Sequence, residues 1–320
     1  EFATVMGAWT TQSHVTPYYL QRSSGMAGTL LDDLLSCQPT VPANSTLFFS
    51  GVPPTIAFQA ADGPLARWAY RDSSVRSYFL NQFSYERAHR GPVFFFIIRP
   101  GGHLQPLWKG DAPYTVLAIN MLTDEHFDAA RDAMRLLFES GTATTSDRYL
   151  MSWLELEAGQ TGAAKERLRG CGVGLSSEPA PEYAQALASI SARDTTRAIG
   201  LLEMAVRKSG LHADAHALLA NLLMRHGSDQ ATAHVEAFAA RVIDPRVPSY
   251  WRLWAAIQIQ TMRYRQAVAS LDRYFALGGD AVRTDAEALE MREQLRRVLP
   301  GGDLAQRALR DPGAYMAAPE

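Results

Sequence analysis

His212 and His216 stand four residues apart in "LHADAHALLA", a spacing at which two imidazoles on one helix face could meet a metal ion. No HExxH pattern accompanies them, and His226 and His234 fall on other turns, so a solvated helix face is the commoner meaning of such a pair. "DGPLARWAYRD" crowds Asp62, Arg67, Arg71 and Asp72 into one short segment, where guanidinium groups could clasp a phosphate or a sugar. Charged neighbours on an exposed helix are the more ordinary use of that pattern. "GCGVGLSS", Gly170 to Ser177, has the glycine content of a phosphate cradle, but such a cradle sits between a strand and a helix. This run follows a predicted helix and precedes a proline loop, which makes it a linker. The GxSxG, GxGxxG and Walker patterns are absent, and "NST" at Asn44 merely has the form of a glycosylation acceptor. The expectation is therefore no catalytic residue, no cofactor and no bound metal.

The composition points the same way. The chain has 320 residues, 47% apolar and 20% charged, with a net charge of −2, as expected of an ordinary globular protein. No basic block marks nucleic acid or an anionic membrane surface as the main partner. Cys37 and Cys171 form no CxxC and have no zinc-ligand spacing, which leaves either two separate buried thiols or one disulfide. The apolar run "VFFFII", Val93 to Ile98, is far short of the roughly 20 residues of a membrane helix. The opening "EFATVMGAWTTQSHV" has no initiator methionine and no signal-peptide pattern, and its first two residues look like a cloning remnant. A piece of a longer protein is the expectation.

A period of 34 residues organises the rest. From Ala130, steps of 34 reach Ala164, Ala198 and Thr232, and a step of 35 reaches Ala267. Twelve residues upstream runs a second small-residue series, Ala118, Ser152, Ala186, Ala220 and Ala255. Antiparallel helices approach closely where a side chain on each is small, and Met134, Leu168, Leu202 and Leu271, four residues on, fill the space towards the next pair. Glu236 breaks that second pattern. Gly141, Gly210 and Gly278 stop second helices, and Pro245 and Pro248 punctuate a junction.

The pattern resembles the tetratricopeptide repeat family over about residues 111–280. That resemblance implies a mainly α fold: a right-handed helical solenoid of about five helix pairs over 111–282, with a capping helix at 283–300 and a frayed tail at 301–320. It also implies a concave face lined by the first helices. Carried over by position, that face includes Tyr149, Trp153, Glu157, Tyr183, Leu187, Asn221, Arg225 and Arg252. An aromatic group beside a cationic one suits recognition of a protein or peptide. The alternative is that the aromatic residues pack against the preceding layer.

The first 110 residues do not follow the period. "GMAGTLLDDLLSCQP" predicts a helix, "STLFFSGVPP" a strand, "DGPLARWAYRD" a helix started by Asp62, and "PVFFFIIRPGG" a strand returning through "HLQPLWKG". "SVRSYFLNQF" is ambiguous. A small α/β layer docked on the first repeat is the economical arrangement, because apolar strands need a covering face. Trp9, Ser13, "LFFSGVPP" and "GPLARWAY" loosely resemble the extramembrane tail of bacterial multi-pass membrane glycosyltransferases. This implies a membrane domain before Glu1 and a place on the extracytoplasmic side of a bacterial inner membrane, the alternative being the cytoplasm. The functional expectation is a non-catalytic protein- or peptide-binding scaffold. The alternative is an accessory acceptor- or sugar-binding domain of such a glycosyltransferase.

Overall fold

The computed structural model describes residues 17–53, 56–60, 64–99, 102–107, 114–227 and 229–299. Trp9, Ser13, Pro54, Asp62 and the tail from 301 onward lie outside them. The chain divides into two compact units, Glu1–Tyr114 and Thr115–Glu320.

The first unit is a small α/β layer. Its elements run α1 (Pro17–Cys37), β1 (Thr46–Ser50), α2 (Ala57–Ala60), α3 (Pro64–Tyr70), β2 (Arg76–Phe79), α4 (Tyr85–Ala88), β3 (Val93–Ile98) and β4 (Leu104–Pro106). The sheet order is β2-β1-β3-β4, with β1 parallel to both neighbours and β3 antiparallel to β4. Alternation along the strands divides the side chains between two faces. Leu47, Phe49, Phe96 and Ile98 join Leu30 and Leu34 of α1 and Leu65 of α3 in one buried cluster. Phe48 and Phe95 stack with centroids 5.6 Å apart, and Phe83 closes on Phe48 at 5.2 Å. Within the ambiguous "SVRSYFLNQF", the edge strand is Arg76–Phe79, in which only Ser77 is buried, too short and too polar to carry a clear period.

The second unit is a tetratricopeptide-like stack of helices: α5 (Tyr114–Thr123), α6 (Phe127–Glu139), α7 (Thr145–Glu157), α8 (Thr161–Gly170), α9 (Pro181–Ser191), α10 (Thr195–Lys208), α11 (Ala213–His226), α12 (Gln230–Ile243), α13 (Pro248–Gln260) and α14 (Tyr264–Leu277). The short α15 (Asp280–Arg283) and then α16 (Ala286–Val298) end it. Local chemistry sets the boundaries. Thr144 and Asp147 form a reciprocal capping box at α7. Asp194, Asp229 and Asp285 accept from the third residue of the helices they start, and Pro181 and Pro248 occupy first-turn positions.

The helix pairs α7–α8, α9–α10, α11–α12 and α13–α14 pack closely along their lengths, whereas α5 and α6 do not share that approach. Nine of the ten small residues in the two series are 0% exposed, from Ala118 to Ala267, and Thr232 is the exception. The turns within the pairs explain it. Each has a residue with positive φ, at Glu125, Gly159, Arg193, Gly227 and Met262. Four of the following helices begin two residues later, but α12 begins three residues after Gly227. One extra residue rotates α12, so that Ala233 takes the buried place and Thr232 turns aside. The 35-residue step belongs one repeat earlier than the sequence suggested.

The glycine-rich run is a linker, and its glycines act by close approach. A side chain on Gly174 would place its Cβ 2.1 Å from the Lys208 carbonyl oxygen, and one on Gly210 would meet Val173 at 2.2 Å. The contact lets Leu175 pair with Ser209 and lets Gly210 N–H donate to the Gly174 carbonyl at 2.9 Å.

Ala198 is 0% exposed in the tight pair α9–α10. Ala198→Leu is expected to overpack it and cost about 1–3 kcal/mol. Urea unfolding of the variant measures this, and a parental midpoint would contradict the assignment.

Candidate functional site

The eight residues assigned to the concave face do not share one environment. Tyr149, Trp153 and Glu157 follow each other at steps of four on α7, but α12 packs against that helix. Residues 233–241 of α12 are all buried, as befits a helix enclosed on every side. Trp153 is 0% exposed, edge-on to Tyr149 at 5.5 Å and to His216 at 5.3 Å. It is a core side chain and cannot anchor a ligand. Glu157 pairs with Arg131 at 3.3 Å, and Tyr183 stands edge-on to His212 at 4.7 Å. Repeat position assigns a residue to a helix face but does not say what covers the face.

What covers it is a return of the chain on itself. The α5–α6 turn, Asp124–Glu125, is gripped by residues more than a hundred positions away. Arg263 Nε donates to Asp124 at 2.7 Å, and Arg241 Nη1, Trp254 Nε1 and Gln258 Nε2 all donate to Glu125 Oε1, at 3.0, 3.1 and 3.3 Å. Arg241 has 6% of its side chain exposed and stands about 5 Å from the rings of Phe127, Phe238, Trp251 and Trp254. Burial lowers the Arg241 pKa, and Glu125 acts against that shift.

Beneath this closure lies a polar cluster. His216, 0% exposed, directs Nε2 at the Gly210 carbonyl (3.1 Å) and Nδ1 at Glu236 Oε2 (2.5 Å). A carbonyl only accepts, so the contact with Gly210 is made by an Nε2–H donor, and Nδ1 faces the carboxylate. The Tyr149 hydroxyl donates to the same Oε2 at 3.3 Å. Burial first, then the Glu236 charge, raises the Tyr149 pKa and keeps the phenol protonated. Both His216 nitrogens are thus engaged within the protein. His234 is also buried, with no partner on either ring nitrogen among the described residues, and burial lowers its pKa to about 4. No group of three His, Cys, Asp or Glu residues gathers as a metal cage among the described residues.

The other motifs have local roles. The Asp72 carboxylate accepts from Ser74 N–H at 2.8 Å, and hydrogen bonds from Ser74 hold its pKa below the usual range. That engagement makes it part of a turn. Cys37 and Cys171 are free thiols in separate units, donating to the carbonyls of Leu104 and Thr145. Among the described residues, no helix is long and apolar enough to cross a membrane.

Among the described residues, two openings of the helical unit are lined by residues assigned to the face. Asn221, Arg225 and Arg252 line a hollow of about 340 Å³ between α11 and α13, with Met224, Leu253 and Ala256 as its apolar part. Arg252 is paired with Glu287 at 2.7 Å and with Asp285 at 3.2 Å, whereas Arg225 is exposed and has no carboxylate partner among the described residues. Leu187 is 43% exposed. The second opening is a chamber of about 640 Å³ reached by Tyr149 and Glu236, with Thr115, Ser146, Cys171 and Thr232 in its wall. Sequence reasoning noticed Glu236 only as a fault in the repeat. A carboxylate on an otherwise apolar helix was the available signal.

No family model matches the chain, and no curated protein matches it. Among solved structures the chain is similar to pilF of Pseudomonas aeruginosa, at 16% identity and a TM-score of 0.35, over 62% of this chain and 91% of that one. The Sgt2 TPR domain from Aspergillus fumigatus shares 19% identity at a TM-score of 0.33, over 37% of this chain and 82% of that one. YrrB, described as a TPR protein with an unusual peptide-binding site, shares 14% identity at 0.32, over 57% of this chain and 91% of that one. Superpositions this loose say nothing of function, and the fold is assigned from the helix pairs themselves.

Proposed function

We propose that the helical unit is a non-catalytic scaffold that binds a protein or peptide, and that its working face is the hollow at Asn221, Arg225 and Arg252. The observation carrying this reading is Arg225, an exposed guanidinium without a carboxylate partner among the described residues, beside an amide and an apolar floor. A planar fork of N–H donors suits a carboxylate, and Met224, Leu253 and Ala256 suit the alkyl part of the same segment. The occupant is an acidic stretch of a partner chain. A hollow near the lower end of the usual pocket range takes one or two side chains, not a folded surface.

The test is calorimetric titration of an Asp/Glu-rich peptide and of its Asn/Gln counterpart. The acidic peptide is expected to bind, more weakly as salt rises, and Arg225→Ala is expected to weaken it and flatten the salt dependence. Equal binding of the two peptides would contradict the reading. A place on the extracytoplasmic side of a bacterial membrane belongs to the same proposal, supported by the sequence resemblance of the first 110 residues alone.

A further inference from the structure

The chamber of about 640 Å³ has chemistry different from that of the arginine hollow and shares no lining residue with it. Its volume lies within the range of small-molecule pockets. Glu236, 4% exposed, is one of its lining residues. Both hydrogen bonds to that carboxylate, from Tyr149 and His216, fall on Oε2. Oε1 has no partner among the described residues. Oε1 is not sealed from solvent, so it is open to a donor that enters the chamber, and a charge-assisted hydrogen bond to a carboxylate is among the stronger ones.

The rest of the chamber limits that ligand. Ile119, Leu150, Val206 and Val235 supply apolar wall, so most of the ligand must be apolar. Glu203 and Arg207 also line it, both exposed, and their opposite charges offset each other. The free oxygen of Glu236 is then left to choose the head group. We propose that this chamber is a ligand site for a primary ammonium group on an apolar stem, held by Glu236 through Oε1. Tyr149 and His216 are positioning residues that fix the carboxylate from behind. A free aliphatic amine and a lysine side chain share this chemistry.

The test uses n-hexylammonium, neutral n-hexanol and N-acetyl-lysine methylamide as probes, each titrated into the protein by calorimetry. Hexylammonium is expected to bind one to one and hexanol at least about tenfold more weakly, as for an ion-assisted hydrogen bond. Competition by the lysine derivative would identify a partner's lysine as the source, and its failure to compete would identify a free amine; both accord with the site. Glu236→Gln is expected to abolish the preference for the ammonium. Because that change touches the His216 pair, Ser146→Leu serves as a second variant, filling the wall while leaving Glu236 in place, and is expected to block binding in a protein with parental circular dichroism. Hexanol binding as well as hexylammonium, undiminished binding to Ser146→Leu, or no probe binding to the folded parent would overturn the proposal. Each of these outcomes leaves the arginine hollow untouched, so the two readings can fail separately.

Discussion

Arg241→Ala is expected to destabilise the helical unit by about 3–5 kcal/mol, the range for breaking a buried ion pair from one side. The variant removes the guanidinium that meets Glu125 at 3.0 Å and that fills the space among four aromatic rings. Among the described residues, the Glu125 side chain would keep Trp254 and Gln258 as partners, and its own backbone is already held at φ 61. Arg241→Met should cost less, since it restores apolar bulk and lets Glu125 turn towards water. Urea unfolding of the three proteins reads the order parent, Met, Ala. An alanine variant as stable as the parent would mean that the return of α12–α14 onto the first turn contributes nothing.

The second large effect is at Trp153. Trp153→Ala should cost about 3–5 kcal/mol as a cavity mutation in a packed interior, because the side chain is 0% exposed. Its rings touch Tyr149 and His216, so the loss should also loosen the Glu236 cluster. Trp153→Phe should retain much of the stability. Any weakening of peptide binding should follow the unfolded fraction and vanish once corrected for it. A Trp153→Ala protein that is fully stable yet deficient in peptide binding would restore the aromatic groove that the sequence suggested.

Those two residues mark the boundary of what the sequence could tell. The helix pairs were legible because close packing demands small side chains, and Ala164 and Ala198 repeat that demand 34 residues apart. Turn chemistry was only partly legible. Each pair turns through a left-handed residue, but Glu125, Arg193 and Met262 take that role without glycine and so leave no mark. The extra residue before α12 was hidden because Thr232 is small enough to pass for the buried position that Ala233 holds. The closure of the unit was not legible at all. Glu125 and Arg241 lie 116 positions apart, and neither residue alone distinguishes a surface charge from a buried pair. As a result, of the residues assigned to the face, Asn221, Arg225 and Arg252 line one hollow, while Trp153 belongs to the core.

The most direct test of the account is where an acidic peptide lands. An Asp/Glu-rich peptide bearing a photoreactive phenylalanine, cross-linked to the protein and mapped by mass spectrometry, should mark α11 and α13, at Met224 and Leu253. The marks should disappear with Arg225→Glu. Adducts on α5 and α7, undiminished by the charge reversal, would contradict the account and put the binding face back on the early helices, including α7, against which α12 packs.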